Sequence, residues 1–449
     1  MANIIITTHW GDGDVIPFIS IGKYLKKKGH DVTIFTHCCY AGRLKKEEIN
    51  FVPWDTWSEY ENFFNALVNF SSTVTGLEEV EAFRAKYESA NVRIKEYELL
   101  KPYCEREDTI LIAKNRSSIA TLLISEKLKR PLIWVYINPY EYESIENFNS
   151  LNGEKLCEEA NELREKIGLR PIESWLSWQC SPKGKIGLWP KWYKSDMVNE
   201  QEDIDLVGFP LAPLNRKKIL SIPSTLKDIL LENPAPIIIS GGSSNKITKE
   251  FYEIAIKSCA NLERNVIVAT RYKELLPDSI PSNVYVFDYI PLYECLAYAS
   301  LIIHHGGMGT VSNAINAGVP QLVLADHLDR PLNGSIVKKS GLGDYLPPLM
   351  WNEKKIIKSI NNLLSPEYKE KCSKFADKYK EENTFENVSK IIEIAKKNEE
   401  YFINYGTIKT CSMKINHNVN DKKEKNNNLN SLSKDMKKYL LEKLKKKEI

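Results

Sequence analysis

Short β-branched runs alternate with amphipathic stretches through both halves of the chain, and this limits the fold more than any other feature. Asn3–Thr7 reads as a buried strand. Gly11–Asp14 gives a Gly/Asp-rich turn, and Pro17 opens a helix with Ile21 and Leu25 on its apolar face. Lys26–Lys28 bring positive charge to the helix C-terminus, and Gly29 stops it. Asp31–Phe35 is the next strand. A crossover of this kind joins parallel strands. Thr109–Ala113 and Pro131–Tyr136 continue the series. Residues 140–200 read as helical or irregular, acidic first and then tryptophan-rich, and Val207–Pro213 reads as a linker. A second series follows at Pro236–Ile239, Asn265–Ala269, Val284–Phe287, Leu301–His304 and Gln321–Leu324. The expected class is α/β, with two consecutive doubly wound, Rossmann-like domains facing a central cleft. The boundaries are 1–206 for the first domain, 207–215 for the linker and 216–374 for the second domain. A charged helix, 375–400, is expected to pack back on the first domain, before a tail at 401–449.

Charge and composition narrow the function classes. No apolar run reaches the roughly 18 to 20 residues of a membrane-spanning helix. The first residues lack the basic region of a secretion signal. Nine cysteines without a Cys-x-x-Cys spacing argue against a disulfide framework or zinc site and for a reduced, cytoplasmic setting. From Tyr401 onward 12 lysines stand against 5 acids, a balance of +7, so the total of +3 leaves −4 for residues 1–400. A slightly acidic body disfavours nucleic acid as a partner. The Asn/Lys/Ser-rich tail reads as disordered. Met436, Leu440 and Leu444 beside Lys437, Lys438 and Lys443 allow a weak contact with an anionic membrane surface.

The second half holds the most informative segment, His304-His305-Gly306-Gly307-Met308-Gly309-Thr310, between an apolar strand and a helix that ends at Gly318-Val319-Pro320. Three glycines in four positions let the backbone approach a ligand, and the N–H groups of the starting helix face an anion. A histidine adds a donor or a positive charge, and Thr310 adds a hydroxyl. Such a turn can hold a diphosphate without a metal; the alternative is a tight turn whose histidines only hydrogen-bond.

The run from His304 to Asp329, with Ala317-Gly318-Val319-Pro320 inside it and Asp329-Arg330-Pro331 at its end, resembles the nucleotide-sugar signature of the family 1 glycosyltransferases. These GT-B enzymes include the macrolide, glycopeptide-antibiotic, sterol and plant secondary-metabolite branches. The resemblance covers most of residues 1–395. It implies that His305 contacts the donor phosphate, with Gly306, Gly307, Gly309 and Thr310 in the same turn. It further implies that Ser243, in Ser240-Gly241-Gly242-Ser243, reaches the phosphates, that Tyr289 and Ile290 pack on the nucleobase, and that Asp329 bonds the sugar hydroxyls. Asn313 falls where many relatives have a ribose-binding glutamate. Arg330 stands where many glucosyl donors meet a glutamine, and would pair with an anionic group or with Asp326. No metal or other cofactor is implied.

Gly11-Asp12-Gly13-Asp14-Val15-Ile16-Pro17 lacks the third glycine of a dinucleotide fingerprint, and no acid ends the next strand at Thr36-His37, so NAD is disfavoured. The turn resembles the Gly-Asp-Val-x-Pro motif of the sterol and glycopeptide branches. In that resemblance Asp14 is the catalytic base that takes the acceptor proton. Asp14 as a helix cap, Asp12 as a rival base and assistance from His9 are the alternatives.

Eight of nine tryptophans precede residue 193, with Tyr60, Phe63, Phe64, Tyr136, Tyr140 and Tyr142 among them. This aromatic content suits a flat or polycyclic hydrophobic acceptor, or ordinary core packing. The resulting expectation is an inverting transfer from a UDP- or dTDP-sugar to a hydroxyl of a small hydrophobic acceptor. A nucleotide-sugar 2-epimerase of the same fold and a non-catalytic helper protein are the competing readings.

Overall fold

Strand β1 (Asn3–Thr7) is buried on both faces, Ile4, Ile5 and Ile6 being at most 1% exposed, so it reads as a continuous apolar run rather than an alternating one. In the computed structural model, which describes residues 1–72, 77–193, 204–211, 222–243, 247–379, 383–397 and 401, this strand is central to a seven-stranded sheet. The others are β2 (Asp31–Thr36), β3 (Asn50–Pro53), β4 (Thr109–Lys114), β5 (Leu132–Tyr136), β6 (Gly184–Gly187) and β7 (Asp205–Leu206), in the order β3-β2-β1-β4-β5-β6-β7. A second sheet holds β8 (Ile237–Ser240), β9 (Val266–Ala269), β10 (Val284–Phe287), β11 (Leu301–His304), β12 (Gln321–Leu324) and β13 (Gly343–Leu346), ordered β10-β9-β8-β11-β12-β13. Every pairing is parallel. All nine predicted strands are present with ends shifted by at most a residue or so; β3, β6, β7 and β13 were not predicted.

The strand order reverses between β1 and β4 in the front sheet and between β8 and β11 in the rear one. Loops diverge at such a point and leave a crevice beyond the carboxyl ends of the strands. Asp14 follows β1 and His305 follows β11, so both sequence motifs stand at a reversal.

The first helix corrects one expectation. It spans Asp12–Lys27, with Gly11 as its extended N-cap, and Pro17 lies inside it rather than at its start. Asp12 and Asp14 favour the partly positive first turn, so the Gly/Asp segment is the helix start and not a separate turn. Gly11 brings no side chain to this cap, but Asp14 stands at the third helical position and its carboxylate accepts from the Gly11 backbone N–H, so Asp14 also serves the helix start.

The charged stretch 375–400 is also not one helix. It contains the end of Pro366–Tyr379 and a separate helix, Thr384–Ala395. Val388 and Ile392 of the latter share a core with Ile4, Ile6, Ile110 and Ile112 of the front sheet. Thr384 Oγ1 donates to Phe209 O at 2.7 Å and Asn387 Nδ2 to Val207 O at 3.3 Å. Residues 212–215 of the expected linker and 402–449 of the tail, with its membrane-contact segment, lie outside the described residues. No helix among the described residues is long and apolar enough to cross a membrane.

Candidate active site

A cavity of about 1830 Å³ lies between the two lobes and is lined from both. Asp14, Ser243, Tyr289, Ile290, His305, Gly307, Gly309, Thr310, Asn313, Asp329 and Arg330 all line it. Gly306 sits behind the wall, buried, at φ +88°, where its lack of a side chain lets the chain turn into the helix Met308–Ala317.

The rear wall is built around one imidazole. A Cβ on Gly307 would fall 2.4 Å from His305 Nε2, and one on Gly242 would fall 2.5 Å from His305 Cε1. The ring is therefore sandwiched between two backbone segments that only glycine can supply. Burial, then Arg330 and His304, push the His305 pKa far below its ordinary value. His305 is thus neutral at pH 7, a hydrogen-bonding group and not the positive charge allowed for above. Its Nδ1 is buried and unpartnered. His304 is structural: Nδ1 accepts from Gly306 N at 3.1 Å, Nε2 contacts Gln321 Oε1 at 3.0 Å, and burial pushes its pKa down to about 4. The helix Met308–Ala317 has no side-chain cap, and a Cβ on Gly309 would meet nothing within 4 Å. Its first turn is open toward the cavity, which suits an anion. Asn313 Nδ2 donates to Gly309 O at 2.7 Å.

Asp329 precedes the helix Arg330–Lys339 and accepts from Asn333 Nδ2 at 3.0 Å. Burial pushes its carboxyl up to about 6; Arg330 pulls it down, while Glu141 and Asp14 across the cleft push it further up. Arg330 is buried, with Nη1 3.6 Å from Asp326 Oδ1, the second of the two pairings open to it.

The front wall carries the candidate base. Asp14 Oδ1 lies 3.3 Å from Lys114 Nζ, and Lys114 Nζ donates to Glu141 Oε1 at 2.7 Å. Burial raises the Asp14 pKa, Lys114 lowers it and Glu141 raises it again, for a net upward shift. Burial opposes the Lys114 ammonium, but Glu141 and then Asp14 outweigh it and keep the lysine charged. Of the two rival groups, one shares the cavity and one does not. Asp12 lines the cavity but accepts from Tyr40 OH at 3.0 Å. His9 is buried outside the lining, 3.0 Å from Glu96 Oε1 and stacked on Trp54 at 5.1 Å.

The aromatic residues divide between the two roles open to them. Trp10, Trp175, Trp178, Tyr60, Phe63, Phe64 and Tyr140 line the cavity. Trp134 and Trp189 are core, Trp57 is 60% exposed, and Trp192 packs on Phe375 and Tyr379 at 4.7 and 4.6 Å.

Comparisons with known proteins agree with this geometry lobe by lobe. The profile of the glycosyltransferase family 28 N-terminal domain matches residues 4–140. The erythromycin biosynthesis protein CIII-like C-terminal domain matches residues 253–394. The chain belongs to the family 1 glycosyltransferases of GT-B fold. The NDP-glycosyltransferase YjiC of Bacillus subtilis is 27% identical to this glycosyltransferase over 347 residues, 75% of this chain and 82% of that one. The 10-deoxymethynolide desosaminyltransferase of Streptomyces venezuelae is 32% identical over 201 residues, 40% of this chain and 44% of its own. Among solved structures, the glycotransferase of kitacinnamycin aligns with a TM-score of 0.67 at 17% identity, over 88% of this chain and 98% of that one. VinC in complex with dTDP aligns with a TM-score of 0.63 at 17% identity, over 88% and 100%.

Three residues of this glycosyltransferase escaped the sequence reading. Lys114 and Glu141 reach Asp14 only because β4 pairs with β1 in register, Thr7 beside Ala113. Asn333 is fully buried and holds the glycine-rich turn through Nδ2 to Gly306 O at 2.9 Å, while its Oδ1 accepts from Tyr193 OH of the front lobe at 3.1 Å. The only signal for Asn333 was a polar residue on the inner face of a helix.

Proposed function

We propose that this nucleotide-sugar glycosyltransferase works by a single inverting displacement from a UDP- or dTDP-sugar to a hydroxyl of a hydrophobic natural-product-type acceptor. The observation that carries the reading is that Asp14 and the His305 turn line one cavity from opposite walls. Displacement with inversion needs a base on the face of the sugar away from the leaving diphosphate. A carboxylate cannot ionise an alcohol in advance, so the proton moves to Asp14 as the oxygen attacks an oxocarbenium-like carbon. Lys114 offsets part of the upward push that burial and Glu141 give the Asp14 carboxyl. The uncapped helix start, Thr310 and the neutral His305 receive the diphosphate as hydrogen-bond donors, a set that does not call for a metal. Asp329 accepts from the sugar hydroxyls. The names of the relatives, a desosaminyltransferase of 10-deoxymethynolide among them, support the acceptor class. The dTDP held by VinC supports a nucleoside diphosphate on the donor side.

The test is the anomeric configuration of the product by NMR, together with Asp14→Asn. An α-linked donor is expected to give a β-linked product. The variant is expected to lose about 10²- to 10⁴-fold in kcat while still binding nucleotide sugar. Retained configuration, or near-wild-type turnover by the variant, would overturn the mechanism. Incubating donor alone and finding its 2-epimer would favour the epimerase reading.

A further inference from the structure

Asn115-Arg116-Ser117 leaves the carboxyl end of β4 and lines the front of the cavity, immediately after Lys114. Arg116 is half-buried, with its backbone at φ +66°, a region a bulky residue occupies only under constraint. Its guanidinium lies 3.9 Å over the Phe148 ring. Among the described residues it has no ion-pair or hydrogen-bond partner, in contrast to the other three cations of the front wall. Lys114 has Asp14 and Glu141; Arg84 has Glu88 at 3.4 Å and Glu159 at 3.0 Å; Arg93 has Glu96 at 2.9 Å. Glu141 and Glu88 steady the Arg116 charge from a distance, and each is already committed to another cation.

The neighbours of Arg116 are unsatisfied as well. Ser117 is 6% exposed and its Oγ has no partner; Ser144 Oγ, also in the wall, is buried without one. Ser118 spends its hydroxyl on Thr7 O at 3.2 Å, so the helix Ile119–Leu128 starts with no side-chain cap, and Ile119 lines the cavity. A fixed cation, an idle buried hydroxyl and an open helix start thus meet at one spot beside aromatic walls. Burial without a counter-ion is costly for a guanidinium, and its planar fork matches a carboxylate.

We propose that the acceptor carries a carboxylate on its aromatic skeleton, received by Arg116 with Ser117, while the reacting hydroxyl faces Asp14. The proposal rests on the front of the cavity being the acceptor site. Phe148 holds the guanidinium in place, and Tyr140, exposed in the same wall, offers flat aromatic surface to the rest of the molecule.

The experiment compares 6-hydroxy-2-naphthoate with its methyl ester by calorimetric binding to the full chain at pH 7.5. The acid is expected to bind about tenfold or more tightly than the ester, as a charge-assisted bidentate contact allows. In Arg116→Met, which keeps the length and the apolar contact with Phe148, this advantage is expected to vanish. Circular dichroism and UDP or dTDP binding report whether the variant is folded. Wild type binding the acid no tighter than the ester would overturn the proposal without any variant. An acid advantage that survives Arg116→Met would overturn it too. Transfer to both compounds is assayed in parallel: product formed from the ester keeps the transferase reading standing even where the acid preference fails.

Discussion

At Asp14, burial and Glu141 push the carboxyl toward its neutral form, and Lys114 resists them. A base that must be empty to act depends on which side wins. Removing the ammonium with Lys114→Met is expected to raise the Asp14 pKa further and move the acidic limb of the kcat/KM profile up by about one pH unit. A pH–rate series on the two proteins checks this; an unmoved limb would disconnect Lys114 from the base. Asp329 gives a second titration. Its folded pKa is about 6, above the roughly 3.9 of a free aspartate, so the fold favours the protonated form. That contribution to stability is fully present below about pH 4 and is lost as pH rises through about 6. Asp329→Asn stays neutral throughout. It is expected to flatten the slope of Tm between pH 4 and 7, and to stabilise the ligand-free protein at pH 7 by about 1 to 2 kcal/mol, a value reduced for partial solvent contact. Its affinity for nucleotide sugar should fall, while that for free nucleoside diphosphate should not. Asp14 and His305 were legible because each belongs to a local motif read within a dozen residues. Lys114 and Glu141 were not, because their partner lies about a hundred residues away and only the parallel register joins them.

The helix Met308–Ala317 offers its first turn to the cavity, and two glycines there do different work. Gly307→Ala would drive a methyl into the His305 imidazole, so donor binding is expected to weaken about tenfold or more with the fold intact. Gly309→Ala meets no protein atom. It is expected to stabilise the ligand-free chain by about 0.5 kcal/mol, since alanine loses less backbone entropy, yet to raise the donor KM because the methyl stands in the cavity. Thermal melts and donor titrations separate the two effects; a Gly309→Ala protein that binds donor normally would place the diphosphate away from this turn. The central strands were legible as unbroken β-branched runs, buried on both faces. The strands that were missed have weak signals of their own. In β3, Asn50 and Pro53 bracket two apolar residues at a sheet edge; β6 is Gly-Lys-Ile-Gly; β7 has two residues; β13 opens with Gly-Asp. Their pairing comes from the strand beside them, which is a tertiary effect. Pro17 misled for a related reason. It suits a helix start, but the acids and the extended Gly11 before it fix the start earlier.

Across the whole molecule, the two lobes meet away from the cavity through Trp192 against Phe375 and Tyr379, and beside it through Tyr193 and Asn333. Tyr193→Phe removes the only described partner of Asn333 Oδ1. The expected cost is about 1 kcal/mol in thermal stability, and a raised donor KM as the support behind Gly306 loosens. A variant with unchanged stability and donor KM would show the contact to be incidental. The double layout was legible because each half repeats the same alternation; the way the halves join was not, because a single tyrosine and asparagine 140 positions apart leave no pattern in the chain. One carboxamide answers to both halves at once. Whatever displaces that side chain would therefore disturb the wall behind Gly306 and the Tyr193 side together.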